Sequence, residues 1–160
     1  MLRFPASVAA LALAACAPTT STTANTTSSQ ATVDEPAGGE GLAPPTPADI
    51  TLHIRAPQNG QMVQVPVNQR FAIELVGVPT AGYQWSPVQM PAFLTRVGDE
   101  ITGPTIAAQN QAGYAGGDHW EVYTFAATSP GSGELVLEQR RPWEHGGPAT
   151  ATFRVTIVAR

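Results

Sequence analysis

From Ile50 to the end of the chain, apolar side chains recur at every second position in short runs, and no stretch carries a stripe of helical period. Successive side chains of a strand point to opposite faces, so this alternation is the signature of half-buried β-strands. Phe71, Ile73 and Leu75 share one face of a run over Phe71–Val76, and Phe153, Val155 and Ile157 share one face of Thr152–Val158. Similar runs occupy Thr51–Arg55, Met62–Val65, Trp120–Phe125 and Leu135–Arg140. Tyr83–Trp85 is a short run stopped by Pro87, and one more lies within Phe93–Ile101, with Leu94, Val97 and Ile101 as its apolar positions. Asn59-Gly60 and the pair Gly131 and Gly133 mark turns between runs. The pattern predicts an all-β domain, an immunoglobulin-like β-sandwich of seven or eight strands over residues 50–160.

Ahead of Ile50 the chemistry differs. Met1-Leu2-Arg3 and the apolar run Val8–Leu13 read as an export signal over residues 1–15, too short to span a bilayer. Leu13-Ala14-Ala15-Cys16 resembles the bacterial lipobox, in which cleavage leaves a diacylglycerol-modified cysteine as the new N-terminus. Cys16 is the single cysteine of the chain, so a disulfide framework and a cysteine-based zinc site are both excluded. Residues 16–49 are then expected to be the lipidated cysteine and a disordered linker. From Thr19 to Thr32 nearly every residue is Ser, Thr, Asn or Ala, and Gly38-Gly39-Glu40-Gly41 and Pro44-Pro45-Thr46-Pro47 follow. Such a stretch buries too little apolar area to offset chain entropy. As a coil it reaches on the order of 30 Å from a membrane. The expected location is a bacterial cell envelope, lipid-anchored through Cys16 alone. Ala17 in place of an acidic residue favours the outer membrane, facing the periplasm or the outside.

The net charge of −4 and the absence of lysine argue against a nucleic-acid binder, which needs a basic face. Residues 50–160 carry seven arginines against eight carboxylates, so net charge does not steer a partner to this domain.

Three loops stand out from the strands. The first is Gly77-Val78-Pro79-Thr80-Ala81-Gly82-Tyr83-Gln84-Trp85, the second Gly113-Tyr114-Ala115-Gly116-Gly117-Asp118-His119, and the third Arg140-Arg141-Pro142-Trp143-Glu144-His145-Gly146-Gly147. Prolines that fix φ and glycines that permit positive φ make these loops shaped rather than merely flexible. Trp143 among Pro and Gly has no obvious core partner, and an exposed loop tryptophan is a common interface anchor.

In this order and spacing the loops resemble those of the chagasin-type inhibitors of papain-like cysteine proteases. That family carries Asn-Pro-Thr-Thr-Gly-Tyr/Phe followed by Trp, then a Gly-Gly or Gly-x-Gly string, then Arg-Pro-Trp. Here the strings read Val78-Pro79-Thr80-Ala81-Gly82-Tyr83 with Trp85, Ala115-Gly116-Gly117, and Arg141-Pro142-Trp143. The resemblance spans residues 51–160. It implies a reversible, competitive inhibitor that fills a protease cleft with loops 77–85, 113–119 and 140–147, without cofactor, metal or catalysis, and as a monomer. By the same resemblance the contact residues are Pro79, Thr80, Ala81, Gly82, Ala115, Gly116, Gly117, Arg141, Pro142 and Trp143. Val78 and Ala81 depart from the family's Asn and second Thr, and a valine side chain cannot brace the loop by hydrogen bonding as Asn does. A cell-envelope binding or structural module on the same fold is the alternative, because fold alone does not fix function.

The other conspicuous residues read as structural. Trp85 is expected in the core, and Trp120 in the core or supporting a loop. Tyr83 serves either loop support or packing. His53, His119 and His145 have no metal-ligand spacing and read as solvated or turn histidines. Asp99 and Glu100 point to opposite faces of a strand and form no catalytic pair. Gly131-Ser132-Gly133 lacks the context of a nucleophile elbow.

Overall fold

In the computed structural model the described residues are 41–144 and 146–160, all within the unit Pro36–Arg160. The expected signal peptide, Cys16, the linker up to residue 40, and His145 lie outside them. Nine strands are present among the described residues. They are β1 (His53–Arg55), β2 (Met62–Val65), β3 (Arg70–Gly77), β4 (Gln84–Gln89), β5 (Leu94–Arg96), β6 (Ile101–Pro104), β7 (His119–Ala127), β8 (Gly131–Arg140) and β9 (Ala151–Ala159). One sheet runs β1-β3-β7-β5, with β6 pairing further along β7, and the other runs β2-β9-β8-β4. The two-sheet, all-β sandwich is the architecture that the alternation predicts.

The core lies between the sheets. Phe71, Ile73, Leu75, Tyr123 and Phe125 of the first sheet face Leu135, Leu137, Phe153, Val155 and Ile157 of the second, and all are buried. Register puts Phe71 opposite Phe125, and their rings stack at 5.7 Å. Trp85 packs in this cluster, as expected, and its indole N–H donates to the Val76 carbonyl at 2.9 Å.

Three details differ from the sequence expectations. The run within Phe93–Ile101 is two strands, since Gly98 turns the chain at φ 72° between β5 and β6. This split raises the strand count to nine. Pro87 does not end its strand: β4 is an edge strand, where a missing N–H costs no ladder bond, and a bulge follows between Pro87 and Gln89. Asn59-Gly60 turns the chain from one sheet to the other instead of closing a hairpin, because β1 pairs in parallel with β3 and β2 in parallel with β9. Asn59 also accepts the Arg154 N–H at 2.8 Å, which ties this turn to β9.

The predicted linker also ends earlier than residue 49. Residues 41–50 form a strap over the outer face of the first sheet. Gly41 bridges Ile106, the Leu42 N–H donates to the Thr105 carbonyl at 2.7 Å, and the Trp120 indole donates to the Leu42 carbonyl at 2.7 Å. Asp49 pairs with Arg70, and Ile50 is buried against Ala72 and Val122. Composition understates this strap because it is held by backbone groups and single contacts rather than by an apolar run.

Beneath the strap lies Glu74, only 1% exposed. Its carboxylate accepts from Thr46 of the strap, from Arg55 Nε at 2.6 Å, and lies 2.5 Å from His53 Nδ1. His53 is therefore a hydrogen-bond partner of Glu74 and not simply a solvated side chain. Burial pushes the Glu74 carboxyl up, but the bonds from Thr46, His53 and Arg55, with the Arg55 charge, together hold it below the usual range. A lowered carboxylate contributes stability that is present above the unfolded-state value and is lost as pH falls through the folded one. Glu74→Gln is expected to reduce unfolding free energy by about 2 kcal/mol at neutral pH, the worth of hydrogen bonds to a charged group. In urea titrations this deficit should shrink as pH falls below about 4.

Candidate functional site

Strand register gathers the three loops at one end of the sandwich. The last residue of β3, Gly77, pairs with the first of β7, His119, which also pairs with Pro104 at the end of β6. In the other sheet Gln84 opens β4 opposite Arg140, and Gln139 pairs with Ala151. Loops 78–83, 105–118 and 141–150 therefore leave the sheets on the same side, and the first of them crosses from one sheet to the other.

The first loop is a single 3₁₀ turn over Pro79–Ala81, closed by Gly82 at φ 83°. Backbone bonds do the bracing that Val78 cannot do through its side chain. The Val78 and Tyr83 backbones exchange two bonds of 3.1 Å, and the Ala81 and Gly82 N–H groups return to Val78 and Pro79 at 2.9 Å each. Thr80 is exposed at the tip of this closed turn.

The third loop is fastened to the first by Arg141. Its Nε donates to the Ala81 carbonyl at 3.0 Å, and its guanidinium lies 4.4 Å from the centre of the Tyr83 ring. The remaining guanidinium edge reaches Glu144 at 3.0 Å. Tyr83 is thus a loop support, one of the two roles open to it from sequence. Trp143 leaves the same turn and lies over Gly82, yet is 63% exposed. The φ at Gly82 favours glycine, and a Cβ there would overlap the indole where it now lies, so the glycine also lets Trp143 sit on this turn.

The second loop is closed at its neck by Gln109, a residue that sequence reading did not single out. Its carbonyl oxygen accepts the Thr105 and Ile106 N–H groups at 2.6 and 3.1 Å, and its amide donates to the Asp118 carbonyl at 2.7 Å. Gln109 stands in a polar stretch beside Asn110 and Gln111, and nothing in the sequence separates the three. Beyond this neck Gly116 and Gly117 take φ 89° and 91°, and Ala115 is exposed. The structure thus brings Ala81, Gly82, Arg141 and Trp143 into direct contact. Ala115, Gly116 and Gly117 are at the same end, joined to the first loop through the Gly77–His119 pairing.

A second overlooked residue sits under the first loop. Glu121 is fully buried on the core-facing side of β7, opposite Leu75. One carboxyl oxygen accepts the Trp85 N–H at 2.7 Å, and the other has no partner. Burial pushes this carboxyl up to about 7, with Glu100 adding to the rise and the Trp85 bond opposing it. The Tyr123 hydroxyl, with one proton to donate, lies 2.7 Å from a Glu100 carboxyl oxygen and also against the Trp85 carbonyl, so a small polar group lies at the loop end of the core. Among the described residues no cluster of three His, Cys, Asp or Glu gathers to hold a metal.

The arrangement is a sandwich that presents backbone-closed loops and an exposed tryptophan at one end. A family model described as the chagasin family peptidase inhibitor I42 matches residues 64–157, and the chain belongs to this family. Two solved structures share the fold. The cysteine protease inhibitor EhICP2 from Entamoeba histolytica is 17% identical with a TM-score of 0.58, over 72% of this chain and 100% of that one. Amebosin is 23% identical with a TM-score of 0.53, over 68% of this chain and 97% of that one. A comparison with curated protein sequences finds no match.

The Gly82 contact generates a test. Gly82→Ala should displace the Trp143 indole and cost about 1 kcal/mol or more of stability, because Ala is incompatible with this φ. Urea unfolding measures the loss. Acrylamide quenching should show Trp143 more accessible than in the parent chain.

Proposed function

We propose that this chain is a reversible, competitive inhibitor of papain-like cysteine proteases that performs no chemistry itself. The observation that carries this reading is the pairing of an exposed Trp143 with the closed turn bearing Thr80, locked together by Arg141, in a member of a peptidase-inhibitor family. Loop 77–85 enters the cleft with Thr80 at the catalytic centre, without a scissile peptide placed for attack. Trp143 lies against an aromatic patch on one wall, and Gly116 and Gly117 allow backbone to approach the other. Arg141 braces the inhibitor's own loops through its bonds to Ala81 and Glu144 and its place over the Tyr83 ring.

Preorganisation is the source of affinity in this reading. Loops that are already closed lose little entropy on docking, so an interface of roughly 1,600 Å² can bind tightly. The purified chain is expected to inhibit papain or a cathepsin-type enzyme competitively. Trp143→Ala should raise the inhibition constant about thirtyfold, equivalent to about 2 kcal/mol. No inhibition at micromolar concentration across several such proteases would refute the proposal.

We also propose that the inhibitor is tethered to a bacterial envelope through lipidated Cys16. Metabolic labelling with a radioactive fatty acid should mark the parent chain and not Cys16→Ala, and the variant should leave the membrane fraction.

A further inference from the structure

We propose that Glu121 is a positioning residue for the first loop, holding the loop's base in its protonated form and loosening it when ionised. The consequence for inhibition rests on the inhibitor reading, while the contacts of Glu121 are local to the loop base. Loop 78–83 is launched from Gly77 at the end of β3 and received by Gln84 and Trp85 at the start of β4. Glu121 touches both sides of that base. Its Oε2 accepts the Trp85 N–H at 2.7 Å, while its Oε1 lies against Gly77 so closely that any side chain there would collide with it. The Tyr83 carbonyl lies against the same Gly77 position.

The Glu121 site suits a neutral carboxyl. Glu121 belongs to the β7 series that faces the core, with Tyr123 and Phe125, and it is 0% exposed. Oε1 has no hydrogen-bond partner. The surrounding ionisable groups offer no positive charge to hold an anion. Opposite it on β3 is Leu75, and on β6 is Thr102. Glu100, whose charge acts on it, is itself an acid. Tyr123, two residues along the same strand, holds its hydroxyl between Glu100 and the Trp85 carbonyl. Arg96 stacks on the Tyr123 ring at 5.1 Å and makes no ion pair with Glu121. His119, next on that face toward the loops, has Nδ1 3.2 Å from the Gly117 carbonyl. From β4 only the Trp85 N–H reaches the carboxyl.

A buried anion with one hydrogen bond and an acidic neighbour is costly, and the cheapest relief is to let water in. The nearest route to water is the loop end, by fraying the Gly77–Trp85 base. Burial that pushes this carboxyl up to about 7 places the change near neutral pH. A raised carboxyl contributes most below its unfolded-state value, and that contribution is lost as pH rises through the folded one. The first loop is therefore best ordered in mildly acidic surroundings and loosens above neutrality.

The test compares the full chain with Glu121→Gln, which keeps an acceptor for Trp85 and cannot ionise. Inhibition constants against papain are measured from about pH 5.5 to about pH 8.5, and the ratio of the two chains cancels the titration of the protease. That ratio, parent over variant, is expected to rise about tenfold over this range. A flat ratio with inhibition intact overturns the proposal. If neither chain inhibits, the inhibitor reading has failed, and amide-exchange protection factors decide the fate of Glu121. A pH-dependent loss of protection at 77–85 in the parent, absent from the variant, supports the proposal, and identical protection overturns it. The Val155 and Ile157 amides of the parent are the internal reference. Loosening must be confined to 77–85 even should the variant fail to fold, and a uniform loss across both regions overturns the proposal.

Discussion

The pairing of β3 with β7 is the constraint on which the rest depends. Its register sets Phe71 on Phe125 and Ile73 opposite Tyr123, so one face of both strands closes the core. The other face of the same pairing carries Ala72 and Val122 against Ile50, with Glu74 beneath the strap. A slip by one residue would exchange these faces, putting the Glu74 carboxylate into the core and Phe71 under the strap. Since both faces of β3 are buried, no neighbouring register is tolerable. The same pairing ends at Gly77 and His119, and this places the first and second loops side by side.

The loops are therefore continuations of rigid strands, and their stiffness comes from a few polar groups. Arg141 joins two loops through a backbone carbonyl, an aromatic face and a carboxylate. Gln109 closes the neck of the second loop by bridging both of its sides. Each of these groups satisfies donors or acceptors of irregular backbone that would otherwise compete for water. The apolar side chain of Trp143 is left exposed on this polar frame, a cost in solubility.

Much of the sandwich was legible because alternation is a local property. Phe71-Ile73-Leu75 and Phe153-Val155-Ile157 each reveal their inward face without reference to any other segment. Trp120–Phe125 does not, since Val122 and Tyr123 are both buried and the strand carries two apolar faces. That ambiguity hid Glu121, whose neighbours on the same face become evident only once Tyr123 and Phe125 are seen to point inward. The three loop strings were legible as motifs, while Gln109 was not, because its role depends on chain segments nine residues apart meeting around one amide. The strap escaped a compositional reading for a related reason: Leu42 and Thr46 matter through their partners Thr105, Trp120 and Glu74.

By itself the sequence determined the all-β class, the inward face of most strands and the three loops with their prolines, glycines and tryptophan. These follow from residue types and short spacings, which act through local sterics and side-chain alternation. Only the tertiary structure decided which strands pair, that all three loops share one end, that Arg141 serves the inhibitor's own loops, and that Glu74 and Glu121 are buried acids with opposite demands. Glu74 is surrounded by donors and favours its charge, whereas Glu121 has one donor and an acidic neighbour and resists it. The environment of a carboxylate is assembled from residues distant in the chain, so its charge state is a property of the fold.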